Sequence, residues 1–350
     1  MRKLASIKQI SDLQPIKDRD KIELATIDGW QVIVKKDEFH VGDLCVYIEI
    51  DSILPEKPEF EFLRSKNFRI RTMKMAGVIS QGICFPLSIL PNRNWKLDDD
   101  VTSVIGVTKY EQTIDDPIKP NKSFLMRYKW FRKLKSLFSK KSGSKEFPNF
   151  IKKTDEVRIQ NVPELLHEKK AWIITEKIDG QSGTYILKKE KGLFKNKLNF
   201  MICSRNRQLS NNDSRSYGYV SKKYPIEDFL KTIIDDYNWV AIQGEIVGPK
   251  IQSNKYGLND YDFYVFNVIK QGKRLNSLEA RDLCNKFGLK FVPILEVTDE
   301  LPDNVNDMLI KAHGKSQLAD IYREGLVIRS TDETISFKAV DPLFLLKYDE

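Results

Sequence analysis

The chain has 350 residues, of which 41% are hydrophobic and 11% aromatic, so it can build two or three domain cores and is not a disordered protein. Its 58 lysines and arginines give a net charge of +9, which favours a polyanionic partner, with nucleic acid ahead of an anionic membrane surface. Three histidines and four scattered cysteines disfavour zinc sites and Ser-His-Asp hydrolases, so any catalytic metal is expected on carboxylates and waters, as Mg²⁺ or Mn²⁺.

Cysteine usage and the lack of long apolar runs bear on the compartment. The sequence has no Cys-x-x-Cys pair and no secretory signal, which predicts reduced thiols in a cytoplasmic environment. Its longest apolar runs are too short to cross a bilayer, so no membrane association is expected. Nothing in the sequence indicates obligate assembly, and we therefore expect a monomer. The source organism stays open, and a viral or phage origin is allowed.

Residues 1–108 carry a series of short strands separated by turns. The Asp28-Gly29 pair between two apolar runs is a strong hairpin signal, because both residues tolerate positive φ. Short strands at this spacing, without a convincing helix, predict a small β-barrel. The further strands are predicted at 44–50, 68–75 and 78–86.

One of these strands, residues 68–75, alternates basic and apolar residues. Its cations Arg69, Arg71 and Lys74 could be presented to a phosphate backbone. The alternative is an ordinary solvated strand face, and the sequence does not decide between the two.

Residues 109–150 differ in composition from what precedes them and predict an interdomain linker. Residues 123–141 are basic and aromatic, and their apolar members recur every three or four positions, which predicts an amphipathic helix. Ser142 and Gly143 break it. This helix could pack on either domain, contact nucleic acid or meet a membrane surface, and packing is favoured.

Residues 151–350 combine strands and helices in an α+β pattern dominated by antiparallel sheet. Asn276 and Glu279 form a capping box that begins a helix at 277–287, and Gly288 ends it. Other helices are predicted at 226–237 and 303–312. Strands are predicted at 199–203, 239–247, 262–269, 325–329 and 334–339.

The second half is organised around the stretch 172–183. An apolar strand, 172–175, leads to Lys177, and the Asp179-Gly180 pair predicts a tight hairpin turn into a second strand. A lysine at the end of a buried strand becomes a nucleophile when burial and neighbouring cations lower its pKa. A plain hairpin with a charged tip explains the same residues equally well.

Charged and aromatic side chains recur at or beside the ends of the apolar strands in this half. One lysine nucleophile, three carboxylates, two further cations and an aromatic ring suit nucleotidyl transfer. The cations and a carboxylate-bound metal stabilise phosphate charge, while the ring stacks on a base. These residues are Lys177, Asp179, Arg205, Glu245, Phe266, Glu324 and Lys338.

Five short motifs in this order resemble those of the covalent nucleotidyltransferase superfamily, which includes ATP-dependent ligases and mRNA capping enzymes. The nucleophile motif is EKIDG at 176–180. It is followed by SRN at 204–206, FYVFN at 263–267, EGLVI at 324–328 and SFK at 336–338. Two positions depart from the superfamily pattern, because Asn267 stands where many relatives have aspartate and Ser336 where some have a second lysine.

The arrangement narrows the resemblance to the RNA ligase 5 family, the nick-sealing RNA ligases with an N-terminal OB module. Only a short tail follows Lys338, where DNA ligases and capping enzymes carry an OB domain. Segments 41–43, 51–55, 77–82 and 153–161 are also similar to this family. The resemblance implies an α+β protein with an OB-like, nucleic-acid-binding β-barrel (1–108), a basic linker (109–150) and an antiparallel-sheet-rich nucleotidyltransferase domain of the ATP-grasp-like ligase kind (151–350).

The resemblance also implies a role for each residue of the site. Lys177 is the nucleophile that takes AMP from ATP, and Lys338 is the second catalytic cation. The nucleotide is bound by Glu176, Arg205, Glu245, Phe266 and Val327. Mg²⁺ or Mn²⁺ is held, through its waters, by Asp179, Glu245 and Glu324. The metal and Lys338 are expected to lower the pKa of Lys177.

The implied function is an ATP-dependent RNA ligase that joins 3′-hydroxyl and 5′-phosphate ends, with nicked duplex RNA as its partner. AMP passes from the lysine to the 5′-phosphate and leaves when the 3′-hydroxyl attacks. One alternative is an ATP-dependent DNA ligase, which shares the lysine chemistry. The other is a nucleic-acid-binding protein with a dead transferase domain, which is disfavoured because every charged position that the chemistry needs is present.

Overall fold

The computed structural model describes residues 3–110, 145–191, 197–210 and 215–348. The amphipathic helix predicted at 123–141 lies outside these residues. The predicted domain boundaries at 108 and 150 therefore stay a prediction. Within the described ranges, no helix is both long enough and apolar enough to cross a bilayer.

The N-terminal part is built from short antiparallel strands around one core. In chain order they are β1 (Ala5–Gln9), β2 (Asp12–Ile16), β3 (Arg19–Ile27), β4 (Trp30–Lys35), β5 (Leu44–Ile48), β6 (Ser52–Ile53), β7 (Arg69–Ile70), β8 (Thr72–Met75), β9 (Val78–Gln81), β10 (Ile83–Pro86) and β11 (Thr108–Lys109). They form the small sheets β1-β5-β10, β2-β3-β4, β8-β9 and β11-β6-β7. The buried side chains of this part make a single hydrophobic core that includes Trp30 and Tyr47.

The predicted Asp28-Gly29 hairpin is confirmed. Strands β3 and β4 pair across it, and Asp28 has a φ of +49°. Three short helical segments have no counterpart among the predicted elements: the 3₁₀ helices Pro58–Lys66 and Leu87–Ile89, and α1 (Thr102–Ile105).

Arg69 does not lie on a solvated strand face. Its side chain is only 4% exposed, its guanidinium lies 3.8 Å from an Asp51 carboxylate oxygen, and it stacks 3.5 Å from the ring centre of Tyr110. Arg71 is half-buried, and Lys74 is exposed. The three cations therefore do not share one exposed surface, because the short break between β7 and β8 resets the alternation of side chains.

The C-terminal part contains two larger sheets. Its strands are β12 (Lys145–Glu146), β13 (Val157–Arg158), β14 (Trp172–Lys177), β15 (Gln181–Glu190), β16 (Lys197–Ser204), β17 (Arg207–Gln208), β18 (Trp239–Val247), β19 (Asp262–Lys270), β20 (Lys273–Arg274), β21 (Lys290–Phe291), β22 (Ile294–Thr298), β23 (Gly325–Ser330) and β24 (Ser336–Val340). The eight-stranded sheet has the order β12-β17-β16-β15-β18-β19-β20, with β21 on β19. The five-stranded sheet has the order β13-β24-β23-β14-β22.

The predicted hairpin across Asp179-Gly180 is wrong. Strand β14 pairs with β22 and β23, whereas β15 pairs with β16 and β18, so the chain crosses from one sheet to the other here. Gly180 makes the crossing sterically feasible, since a Cβ on it would lie 2.4 Å from the Ile246 carbonyl oxygen. Lys177 is thus the last residue of one sheet, and Gln181 is the first strand residue of the other.

The helices of this part are α2 (Ser216–Lys223), α3 (Ile226–Ile233), α4 (Ser277–Lys286), α5 (Val305–Ala312) and α6 (Pro342–Tyr348). The N-terminal cap of α4 is confirmed, because Asn276 Oδ1 accepts a hydrogen bond of 2.8 Å from the Leu278 N–H. Helix α3 ends four residues before its predicted end, and α2 and α6 were not predicted. Helix α6 extends to the N-terminal part, where Leu345 packs against the core.

A set of polar contacts joins the two parts. Trp30 Nε1 donates to Asn161 Oδ1 at 2.5 Å, and Asn161 Nδ2 donates to Glu49 Oε1 at 2.7 Å. Arg158 Nη2 donates to Asp51 Oδ2 at 2.9 Å, with Arg158 only 6% exposed. The residues just before β14 are thereby fixed to the N-terminal part, beside the cleft described next.

Candidate active site

All nine residues that the sequence singled out line a single cleft of about 600 Å³. The five-stranded sheet and its flanks contribute Glu176, Lys177, Glu324, Val327 and Lys338, while the eight-stranded sheet and its flanks contribute Arg205, Glu245 and Phe266. Asp179 lies on the crossing between them. The N-terminal part closes one side with Asp51, Arg69, Lys109 and Tyr110.

Lys177 ends β14 with its side chain in this cleft. Its Nζ lies 2.5 Å from Glu324 Oε2, and the two side chains are 24% and 14% exposed. Glu324 is brought there by the pairing of Lys177 with Gly325. A side chain at Gly325 would collide with the Ala339 carbonyl oxygen, 2.2 Å from an added Cβ, so glycine is needed for this close packing of β23 on β24.

The protein's own groups raise the pKa of Lys177 above its ordinary value. Burial lowers it, but the negative charges of Glu324, Glu245 and Asp179 outweigh burial. Lys338, the cation expected to lower it, is instead paired with Asp155 at 3.2 Å. The three carboxylates therefore favour the ammonium form of Lys177. A cation that neutralised their charge would favour the neutral amine.

Three carboxyl groups of the cleft, those of Glu176, Asp179 and Glu245, have raised pKa values, and burial is the largest cause for each. Burial raises the pKa of Asp179 to about 6, with repulsion from Glu324 adding to it. Burial likewise raises the pKa of Glu245 to about 8, again with repulsion from Glu324 and Asp179. A register shift between Gln243 and Gly244 in the β18–β19 pairing directs Glu245 to this position.

The carboxylates of Asp179, Glu245 and Glu324 fit a hard divalent cation bound through waters. All their donor atoms are oxygens, and such a cation would relieve the mutual repulsion that adds to burial in raising the pKa values of Asp179 and Glu245. No group of three or more His, Cys, Asp or Glu side chains among the described residues has the spacing for direct metal ligation. Water-mediated contact agrees with both observations, since Mg²⁺ dehydrates reluctantly.

Three further residues of the cleft, Phe266, Val327 and Glu176, have the features of a base-binding pocket. The half-buried side chains of Phe266 and Val327 both line it. Glu176, only 1% exposed, is held in place because its carboxylate accepts hydrogen bonds from Ser316 Oγ at 2.5 Å and from the Gln317 N–H at 2.8 Å. An aromatic face beside fixed polar groups can stack on and orient a planar heterocycle.

Asp155 is a cleft residue to which the sequence assigned no role. Its carboxylate contacts Lys338 at 3.2 Å, Lys109 at 2.9 Å and Arg205 at 3.6 Å. Burial alone would raise its pKa, but Lys338, Lys109 and Arg205 hold it well below the usual range. It links the two sheets and the N-terminal part, and no local pattern could have shown this.

Lys255 was also missed. Its ammonium pairs with the Asp179 carboxylate, although 76 positions separate the two residues in the sequence. It lies in a segment with no periodic signal between β18 and β19, so only the folded chain reveals it.

An OB-type strand assembly ahead of a two-sheet domain that holds this cleft is the architecture of a polynucleotide ligase. The family models agree: an OB-fold domain model matches residues 4–87, and an RNA ligase model matches residues 170–348. The chain belongs to the RNA ligase family. The predicted fold class, an OB-type N-terminal part followed by a sheet-rich ligase domain, is thereby confirmed.

Solved structures of an RNA ligase from Naegleria gruberi are similar over the whole chain. One with PPi has a TM-score of 0.82 at 30% identity and covers 100% of this chain and 99% of that one. A mutant with ATP and Mn, and another with AMP and Mn, each have a TM-score of 0.82 at 30% identity and cover 99% of both chains. A search of curated proteins found no significant match.

Proposed function

We propose that this chain is an ATP-dependent RNA ligase of the RNA ligase 5 family that seals 3′-hydroxyl/5′-phosphate nicks in duplexes through a lysyl-AMP intermediate. The observation that carries the proposal is the contact of Lys177 with Glu324 inside a cleft to which each of the five motifs contributes at least one residue. Related structures with ATP and Mn support the choice of nucleotide and metal.

In the first step the Lys177 Nζ attacks the α-phosphorus of ATP. The N–P bond forms as the bond to the pyrophosphate oxygen breaks, and the lysine proton must leave beforehand. Glu324 Oε2 lies 2.5 Å from Nζ, within reach of that proton. Lys338 then neutralises α-phosphate charge after exchanging its contact with Asp155.

Asp179, Glu245 and Glu324 hold Mg²⁺ or Mn²⁺ through its waters. A metal bound there would lower the pKa of Lys177 and neutralise charge on the α-phosphate. The negative charges of Glu324, Glu245 and Asp179 raise the pKa of Lys177, and a divalent cation on these carboxylates would offset that effect. These three side chains orient the metal's waters, and the nearby cations keep the cluster from excess negative charge.

The nucleoside is recognised by residues of both sheets. Phe266 stacks on adenine, with Glu176 and Val327 at its edges. Arg205 and Glu245 reach the ribose. In the second step AMP moves from Lys177 to the RNA 5′-phosphate, and in the third the 3′-hydroxyl displaces AMP and seals the strand.

The N-terminal part binds the duplex. The enzyme acts as a monomer, in the cytoplasm. The net charge of +9 supports a polyanionic substrate. With domain boundaries at residues 108 and 150, duplex binding and catalysis belong to separate domains.

The covalent step is tested with ATP labelled at the α-phosphate. With Mg²⁺, the wild type is expected to take up label that survives denaturation, whereas Lys177→Ala takes up none. Lys231→Ala, which removes a surface lysine of α3 paired with Glu227, is the control and should label normally. A labelled Lys177→Ala protein would rule out this nucleophile.

The RNA preference is tested on nicked duplexes with a ribose or a deoxyribose at the 3′ end of the nick. The proposal expects faster sealing of the ribose end. Equal sealing of both favours the DNA ligase alternative, and labelling of Lys177 without sealing of either contradicts the nick-sealing function.

A further inference from the structure

Residues 250–257, here named the strap, form a strained turn between β18 and β19. Four of its non-glycine residues have φ between +45° and +64°. These are Lys250, Gln252, Ser253 and Asn254. Asn254 ties the strap down, because its side chain donates to the Leu258 carbonyl at 2.9 Å and accepts from the Leu258 N–H at 3.1 Å. Left-handed residues of this kind persist where surrounding contacts hold them, and they cluster at functional sites.

Three side chains of the strap converge on the crossing that follows Lys177. The Asp179 N–H donates to Tyr256 Oη at 2.9 Å, and Gln252 Nε2 donates to the Gly180 carbonyl at 3.4 Å. The Lys255 ammonium pairs with the Asp179 carboxylate. The strap therefore fixes both the backbone and the side chain of the residue two positions after the nucleophile.

Lys255 lies beside a pair of aromatic rings, Phe344 and Tyr348, whose centres are 4.6 Å apart. Its Nζ lies 5.0 Å from the ring centre of Phe344 and 4.7 Å from that of Tyr348, and its side chain is only 10% exposed. Both rings belong to α6, whose Leu345 packs against the N-terminal core. A largely buried ammonium within about 6 Å of two ring centres is held by cation–π attraction to both.

The charges of the cleft explain why such a cation is needed. Lys177 compensates Glu324, and Lys255 compensates Asp179. Loss of Lys255 would remove the ion pair of Asp179, while Glu324 would keep its ion pair with Lys177. Repulsion would then favour displacement of Asp179 from its place beside the nucleophile.

We propose that Lys255 is a positioning residue for lysine adenylylation, which holds the Asp179 carboxylate in place and is in turn held by Phe344 and Tyr348. The inference rests on the proposed function, because it assigns Lys255 to the same site. A merely structural ion pair would change thermal stability without changing the rate of the folded enzyme.

The test compares single-turnover uptake of label from α-labelled ATP by wild type and Lys255→Met. We expect the adenylylation rate constant of Lys255→Met to fall on the order of tenfold to a hundredfold, as for other misplaced catalytic groups, with the half-saturating ATP concentration changed less than about twofold. Lys255→Arg should keep more of the wild-type rate than Lys255→Met does, since a guanidinium can pair with a carboxylate and stack on an aromatic ring.

Lys347→Met is the matched control. Lys347 lies on the same helix and 5.0 Å from the same Tyr348 ring, but it is exposed. This variant should adenylylate at the wild-type rate. A similar loss in Lys347→Met would overturn the proposal, because the effect would then belong to the helix and not to the contact with Asp179.

The aromatic cage is tested at Tyr348. Tyr348→Leu should slow adenylylation, and Tyr348→Phe, which keeps the ring, should lose less. Because both changes act through Lys255, Lys255→Met combined with Tyr348→Leu should be no slower than Lys255→Met alone. If the rate losses of Lys255→Met and Tyr348→Leu were additive, Tyr348 would not act through Lys255, and this part of the proposal would be wrong.

A readout without nucleotide separates positioning from chemistry. Amide hydrogen exchange of the peptide spanning 178–182, measured without ATP or metal, should be faster in Lys255→Met, while peptides of β1 and β5 stay unchanged. If wild type takes up label and folded Lys255→Met takes it up equally fast, the inference alone is wrong. If wild type takes up no label, the proposed function fails and the inference with it.

Discussion

The two sheets of the ligase domain contribute different chemistry to one cleft. The five-stranded sheet carries Lys177, and Glu324 just before β23 is within 2.5 Å of it. The eight-stranded sheet carries Phe266 and Glu245, of which Phe266 offers an aromatic face. The comparison teaches that the proposed nucleophile and the carboxylate in contact with it belong to one sheet, whereas the ring proposed to stack on the base belongs to the other. Substitution of Lys177 or Glu324 should therefore lower the rate constant, and substitution of Phe266 should weaken ATP binding.

The largest effect is expected for Glu324→Gln. If Glu324 served only to keep Lys177 protonated, its loss would lower the Lys177 pKa and speed adenylylation. We expect instead a fall of at least about a hundredfold in the rate constant, because a preorganised charge beside the reacting atoms is lost. Single-turnover labelling measures it, and Asp332→Asn, which alters an exposed ion pair with Lys170, is the control.

A smaller effect, on binding and not on rate, is expected for Phe266→Leu. Loss of a base-stacking ring costs about 1–3 kcal/mol, so the half-saturating ATP concentration should rise by roughly tenfold. The rate constant at saturating ATP should change far less. Phe266→Tyr keeps the ring and should bind ATP nearly as well as wild type. A fall in the rate constant with unchanged ATP binding would contradict the assignment of Phe266 to nucleotide binding.

The carboxylates at the junction of the sheets predict a pH-dependent response to metal. The folded-state pKa values of Asp179, about 6, and Glu245, about 8, lie above those of ordinary carboxyl groups. The folded protein thus holds these protons more tightly than the unfolded chain, and this contribution to stability is lost as pH rises through those values.

A divalent cation stabilises the ionised carboxylates, so a fixed Mn²⁺ concentration should raise the Tm by a few degrees above pH 8 and much less below pH 6. Differential scanning calorimetry without ATP measures this. Glu245→Gln should flatten the pH dependence, and an unchanged profile in that variant would contradict the assignment.

The smallest effect concerns the crossing itself. Gly180→Ala would place a methyl group 2.4 Å from the Ile246 carbonyl oxygen and 2.9 Å from Glu245 Cγ. We expect a loss of about 1–3 kcal/mol in unfolding free energy, measured by urea denaturation, because the sheets must separate slightly. An unchanged stability would show that the two sheets are not tightly coupled at this point.

Much of the site could be predicted because its residues lie in short, local motifs. Lys177, Glu324 and Lys338 were each identified from neighbouring residues, and the cleft brings them together. Their pairing could not be predicted. That Lys338 contacts Asp155, and Lys177 contacts Glu324, depends on side-chain directions that only the packed sheets determine.

The wrong hairpin at Asp179-Gly180 has a related cause. A turn signal between two apolar runs indicates a reversal, but the partner of each strand is chosen by contacts far away in the sequence. Strand β14 finds β23 instead of β15. In the same way, the sequence of the β7 and β8 strands could not show that Arg69 turns inward to Asp51 and Tyr110.

The order of the strands has a consequence for how the chain folds. Strands β15 to β21 of the eight-stranded sheet lie within the sequence between β14 and β22, so that sheet forms mainly from neighbouring segments. The five-stranded sheet must join β13 to β24, where Val157 pairs with Phe337. Distant pairings of this kind form slowly, and synthesis delivers β24 late. We therefore expect a growing chain to form the eight-stranded sheet, which carries Phe266 and Glu245, before the five-stranded sheet, which carries Lys177. It should gain the ability to react with ATP only in the last stage of folding.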